Sequence, residues 1–121
     1  MKKVTFKPED KQIFEAIYLW FSLPSDQQQR VVGIEAHRQS IRILDAFATT
    51  GELFYDEAGE PRPGAITMHS EGGSFELCGA DIDKLKASVE RASTIPAFSA
   101  LVVRCWDFLA GVQDAVSNPA S

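Results

Sequence analysis

Ile13-Phe14-Glu15-Ala16-Ile17-Tyr18-Leu19-Trp20-Phe21 holds eight apolar residues in nine, four of them aromatic. On a helix, Ile13, Ile17, Trp20 and Phe21 form one stripe, and Phe14 and Tyr18 widen it to one side. The apolar arc spans roughly 200°, whereas a surface helix of a globular domain shows about 100°. Such a helix must be covered on two sides, by its own domain, a second copy or another protein. The feature concerns contact rather than chemistry, and it sets the expectation of a small, mostly helical domain with surplus apolar helix surface.

Upstream, residues 1–7 read as an extended arm. Pro8 suits a first helical position, and Glu9 and Asp10 complement the positive end of the helix dipole. Leu23-Pro24 stops this first helix near Ser22. Ser25-Asp26-Gln27-Gln28 then reads as a capping box opening a second helix, which is expected to run to about Thr50 with Gly51 at C′. In that register Glu35, Arg38, Arg42 and Asp45 form a solvent-facing charge ladder. Ile34, His37, Ile41, Leu44 and Ala48 lie opposite, with Val32, Ala36, Ile43 and Phe47 extending the apolar arc, as expected of a central strut.

The chain then changes period. Leu53-Phe54-Tyr55 fits a short third strand, and residues 58–64 are loop by composition. Ala65–Ser70 and Ser74–Cys78 read as a hairpin closed by Gly72-Gly73, with Met68 opposite Leu77 and His69 opposite Glu76. This alternation puts Ile66, Met68, Phe75 and Leu77 on one face and Thr67, His69, Glu76 and Cys78 on the other. A third helix starts near Asp81 and carries Ile82, Leu85, Val89 and Ala92. Thr94 is placed to cap a fourth, with Pro96 just inside and a core stripe of Phe98, Leu101, Val102, Cys105, Phe108, Leu109, Val112 and Val116. Val103, Trp106 and Ala110 form a second patch beside that stripe, and residues 117–121 read as a frayed tail. The fold expected is a single α+β domain, four main helices with a small antiparallel hairpin packed on them.

Composition narrows the function classes. Twelve Lys plus Arg against seventeen Asp plus Glu give a net charge of −5, with no basic cluster of the kind that neutralises phosphates. Nucleic acid and membrane are therefore not expected as direct partners. The apolar run at 13–21 is preceded by acids, lacks a cleavage site and falls far short of the roughly 20 residues that span a bilayer. A cytoplasmic location is the expectation. Cys78 and Cys105 are too few for a disulfide framework, lack metal-ligand spacing and are expected to be unbridged.

Catalytic, metal and cofactor readings find little support. His69, Glu76 and Cys78 resemble a Cys/His/acid set, but no pocket or oxyanion donors accompany them, and a solvated pair beside an ordinary thiol is the simpler reading. Asp81 and Asp83 read as dipole partners rather than ligands, and Gly72-Gly73 as a turn rather than a phosphate loop. No cofactor is expected. His37, midway across an apolar face, is either a hydrogen-bonded core histidine or an interface residue whose charge would make assembly pH-dependent. Aromatics bury large area with a polar tip, so the contact residues expected are Phe14, Tyr18 and Phe21 on the first helix and Val103 and Trp106 on the fourth.

In size, acidic balance, absence of catalytic motifs and helices with apolar flanks such as Phe14-Tyr18-Phe21, the chain resembles the small antiactivators that pseudomonads use against LuxR-type quorum-sensing receptors. The resemblance implies binding to the receptor's ligand-binding domain and a block of its dimerisation or DNA binding, and it transfers no residue roles. The expected function is thus a non-enzymatic regulator that binds another protein, such as a transcription factor, and masks its surface. The alternatives are a small enzyme or ligand-binding domain with a pocket between sheet and helices, and a structural homodimer. Surplus apolar width on two helices also predicts twofold self-association.

Overall fold

A computed structural model of the chain describes residues 1–23 and 31–114, with the backbone alone at 113 and 114. Along these residues the order is β1 (Lys2–Phe6), α1 (Lys11–Ser22), α2 (Ile34–Ala48), β2 (Gly51–Tyr55), β3 (Pro61–Met68), β4 (Gly73–Leu77), α3 (Gly79–Glu90), α4 (Ser99–Ala110) and β5 (Gln113–Asp114). Single 3-10 turns at Pro8–Asp10 and Pro96–Phe98 lead into α1 and α4. The architecture is α+β, in one domain. Pro8 opens its turn as its fixed φ favours, and the Asp10 carboxylate reaches back to accept from the Lys7 N–H at 3.0 Å.

The alternation read from the strands holds, but their pairing does not. Ile66, Met68 and Leu77 are buried and Phe75 half-buried, as expected of one inward face. Yet β3 and β4 form no hairpin: β3 pairs with β2, and β4 pairs antiparallel with β1. The supposed arm at residues 1–7 therefore supplies the middle strand of a sheet ordered β4-β1-β5, with Val4 and Phe6 buried. Glu76 sits opposite Lys3 rather than His69. The turn responsible runs from His69 to Gly72, whose N–H donates to the His69 carbonyl at 2.9 Å. Gly72 has φ +73°, and a Cβ there would collide with the Phe6 carbonyl, so β1 comes too close for any side chain. The His69 N–H donates to the Thr50 carbonyl at 3.0 Å and links the β2-β3 pair to this turn.

Other boundaries shift for local reasons. The capping box at Ser25–Gln28 lies outside the described residues, and α2 begins only at Ile34, after Gly33 at φ +95°. Gly51 is the first residue of β2 and not the C′ glycine, since α2 ends at Thr49 in a right-handed conformation. Residues 61–64, read as loop, belong to β3. Thr94 does not cap α4; the chain enters it through the Pro96 turn. Val116 and residues 117–121 also lie outside the described residues.

The core is an aromatic cluster fed by five elements. Phe6 from β1 packs edge-on against Phe14 of α1 at 4.9 Å and stacks on Phe108 of α4 at 4.8 Å. Phe47 of α2 joins Phe14 and Phe75 at 5.1 Å each, and Tyr18 at 5.7 Å. Such ring pairs add about 0.5–1.5 kcal/mol each beyond their burial. One carboxylate ties helix to helix. Asp81, buried in the first turn of α3, accepts from Arg42 Nη2 and Gln39 Nε2 of α2, both at 3.1 Å.

Candidate interaction surfaces

Phe14, Tyr18 and Phe21 are buried in the domain's own core, which corrects their expected place on a contact flank. Helix α1 packs against β3, α3 and α4, and Phe6 of β1 and Phe47 of α2 meet its aromatic rings. At the C-terminal end of β3 the Met68 N–H donates to Glu15 Oε2 of α1 at 3.2 Å. Burial, with the neighbouring Tyr55 hydroxyl second, raises the pKa of the Tyr18 phenol. The large apolar side chains left exposed in this region are Leu19 of α1 and Leu23 just past its C-terminal end.

Helix α4 does present an apolar surface. Val103 is 57% and Trp106 38% exposed, and Ile95 and Phe98 continue the exposure at the helix entrance. Val102, Val103 and Trp106 line a hollow of about 310 Å³, rimmed by Glu90 and Asp107. The Lys86 ammonium lies 5.0 Å from the centroid of the Trp106 ring, holding the indole by a cation–π contact. Cys105 and Leu109 anchor the opposite face in the core, so the exposed side chains stand on a fixed backbone.

Helix α2 presents a second one. Its core-facing residues are Ile43 and Phe47, leaving Ile34 65% and Ile41 58% exposed beside a half-buried Leu44 and Ala48. His37 is exposed among them, which removes the core-histidine reading. The charge ladder does face solvent, with Glu35 and Arg38 paired at 2.8 Å, but Arg42 leans across to Asp81. The hydrogen bond to Asp81, and after it the opposite charge, raise the Arg42 pKa.

The polar candidates separate. His69 lies in the turn after β3 while Glu76 sits in β4 opposite Lys3, so the pairing that would have aligned them with Cys78 does not exist. His69 instead lines a hollow of about 670 Å³ with Lys11, Glu52, Thr67, Met68, Ser70 and Glu71. There the Ser70 hydroxyl donates to Glu71 at 2.9 Å and, as the main cause, lowers that carboxylate's pKa. Both thiols are free. Cys105 lies in the core with its Sγ 3.9 Å from the Ile13 carbonyl, and burial pushes its pKa up to about 12. Among the described residues no group of three or more His, Cys, Asp or Glu side chains could hold a metal ion. No described helix is long and apolar enough to cross a membrane.

Comparison of the chain with family models, curated proteins and solved structures finds no match. The functional reading therefore rests on the surfaces themselves. Two of their features escaped the sequence reading: exposure of Ile34 and Ile41, and the Asp81–Arg42 tie. The first was hidden because an apolar arc does not say which neighbour covers it. The second had no local signal, because Arg42 has Asp45 three residues on, at the same spacing as the Glu35–Arg38 pair.

Proposed function

We propose that this protein is a non-enzymatic regulator that binds another protein through the α4 surface and masks the surface it covers. The observation that carries the reading is Trp106, a half-exposed indole on a rigid helix, held by Lys86 beside an apolar hollow. Tryptophan anchors of this kind dominate interface energetics because they bury large area at small entropic cost. Glu90 and Asp107 on the rim favour a partner with an apolar side chain flanked by basic groups, in keeping with the net charge of −5. The resemblance to pseudomonad antiactivators makes the ligand-binding domain of a LuxR-type receptor the first partner to assay.

Trp106→Ala is the decisive variant. Titration calorimetry against that receptor domain should show binding by the wild type, weakened by about 2 kcal/mol or more in the variant, with an unchanged melt. Equal affinity of the two proteins would remove α4 as the recognition surface. A second reading attaches to the His69 hollow, whose Lys11, Glu52, Glu71 and His69 side chains suit a small polar ligand. His69→Ala should then abolish small-molecule binding while leaving the protein partner bound.

A further inference from the structure

The exposed face of α2 has the spacing of a helix–helix seam. Ile34, His37, Ile41, Leu44 and Ala48 follow intervals of three and four, the heptad positions that meet across a two-helix contact. We propose that this seam joins two copies of the chain, with their α2 helices antiparallel and Arg38 of each copy facing Asp45 of the other. The inference rests on α2 alone and is independent of the reading of α4.

Charge selects the occupant and the register. In heptad terms Arg38 and Asp45 occupy the same flank of the seam, one turn before and one turn after Ile41. With Ile41 set against Leu44 of the second copy, His37 falls against its Ala48, and the Arg38–Asp45 pair forms twice by symmetry. Sliding by one layer, so that Ile34 meets Leu44, brings Arg38 against Arg38 and is repulsive. In a parallel pair Arg38 meets Gly33 and Asp45 meets Ser40, so neither finds an opposite charge. One sequence thus favours one twofold arrangement and penalises its neighbours.

Shape agrees with charge. In the favoured register Ile34 of the second copy projects just past Ala48, beyond the C-terminal end of α2. A hollow of about 350 Å³ lies there, lined by Ala48, Gly51, Glu52, Leu53 and Tyr55, and a branched aliphatic side chain fits it. Ile34 is otherwise a large apolar side chain left 65% exposed at a helix start. Arg38 now pairs with Glu35 on an exposed surface, a contact weak enough to be exchanged for Asp45 of the other copy. A seam of 15 helical residues is shorter than a typical stable interface supplies, so dissociation in the micromolar range is expected.

Sedimentation of the full chain across the micromolar range tests this. The wild type should associate to a dimer, and Ile41→Asp should stay a monomer whose circular-dichroism melt matches that of the wild type at dilution. Arg38→Asp and Asp45→Arg should each raise the dissociation constant at least about tenfold, and the double variant should restore it to within a few-fold of wild type. A monomeric wild type, or a dimer indifferent to Ile41→Asp, overturns the seam. A double variant no better than the singles overturns the antiparallel register, and needs no Ile41 variant to be informative. Trp106→Ala should remain dimeric; if it alone turns monomeric, the copies meet through α4 instead.

Discussion

Helices α1 and α2 both carry more apolar surface than one buried stripe requires, and the fold treats them oppositely. Helix α1 packs against β3, α3 and α4, with rings from β1 and α2 on it, so Ile13, Phe14, Ile17, Tyr18 and Phe21 are all covered from within. Helix α2 lies against β2 and β4 and is pinned to α3 by Asp81, so only Ile43 and Phe47 reach full burial. Its Ile34 and Ile41 are left to water. Apolar width therefore measures a demand for cover, while position in the topology decides whether the chain itself can meet it. For α1 the surplus is core, and for α2 it is surface.

The sharpest way to break that distinction is to truncate the α1 side. Phe14→Ala removes a fully buried ring that touches Phe6 and Phe47 and should cost about 3–5 kcal/mol in thermal or denaturant unfolding. Tyr18→Ala should follow the same pattern at a smaller size. If either variant unfolded like the wild type, α1 would not be the internally covered helix described here.

The next effect concerns what holds α2 in place. Asp81→Ala deletes the acceptor for Arg42 and Gln39, and hydrogen bonds to charged groups contribute about 1.5–3 kcal/mol each. Arg42 is half-exposed and regains water when its partner goes, so the expected loss is at the low end of that range. Denaturant melts at low and high salt check it. Asp81→Asn, which keeps an acceptor, should recover part of the loss.

These cases also show how far the sequence was legible. The helical character of the chain, the burial of Ile66, Met68 and Leu77 and the short strand near Leu53 follow from local periodicity, which side chains impose on their own element. Strand partnership does not, because Gly72 admits both a tight hairpin and the wider His69–Gly72 turn, and only the approach of β1 decides. The same limit governed the contact residues. Val103 and Trp106 are exposed as the second patch of the fourth helix implied, whereas Phe14, Tyr18 and Phe21 met their partners within the domain. A periodicity argument sees one helix at a time, and cover is a property of pairs.

A titration distinguishes core from surface by a different route. Cys105 should resist thiol reagents in the folded protein, while the half-buried Cys78 reacts first. The folded-state pKa of Cys105 is raised from the ordinary 9.0 to about 12. Its contribution to stability is thus fully present below pH 9 and is lost progressively as pH climbs through 12, because the unfolded chain gives up its proton first. Denaturant midpoints of Cys105→Ala against wild type between these pH values should show the wild type losing its advantage. A constant difference would mean that the thiol ionises alike in both states.

The smallest effect is the most telling about α2. Ile41→Ser replaces an exposed aliphatic by a polar side chain, and surface substitutions of this kind change stability by about 0.5 kcal/mol or less. For a dilute sample the melt should therefore be unmoved, in contrast to the collapse expected of Phe14→Ala. At high concentration the two proteins should separate. A dimer binds only the folded chain and raises its midpoint by mass action, so the wild-type melt should climb with protein concentration and the Ile41→Ser melt should not. A variant that lost stability at every concentration would place Ile41 in the core, and α2 would then be a second α1.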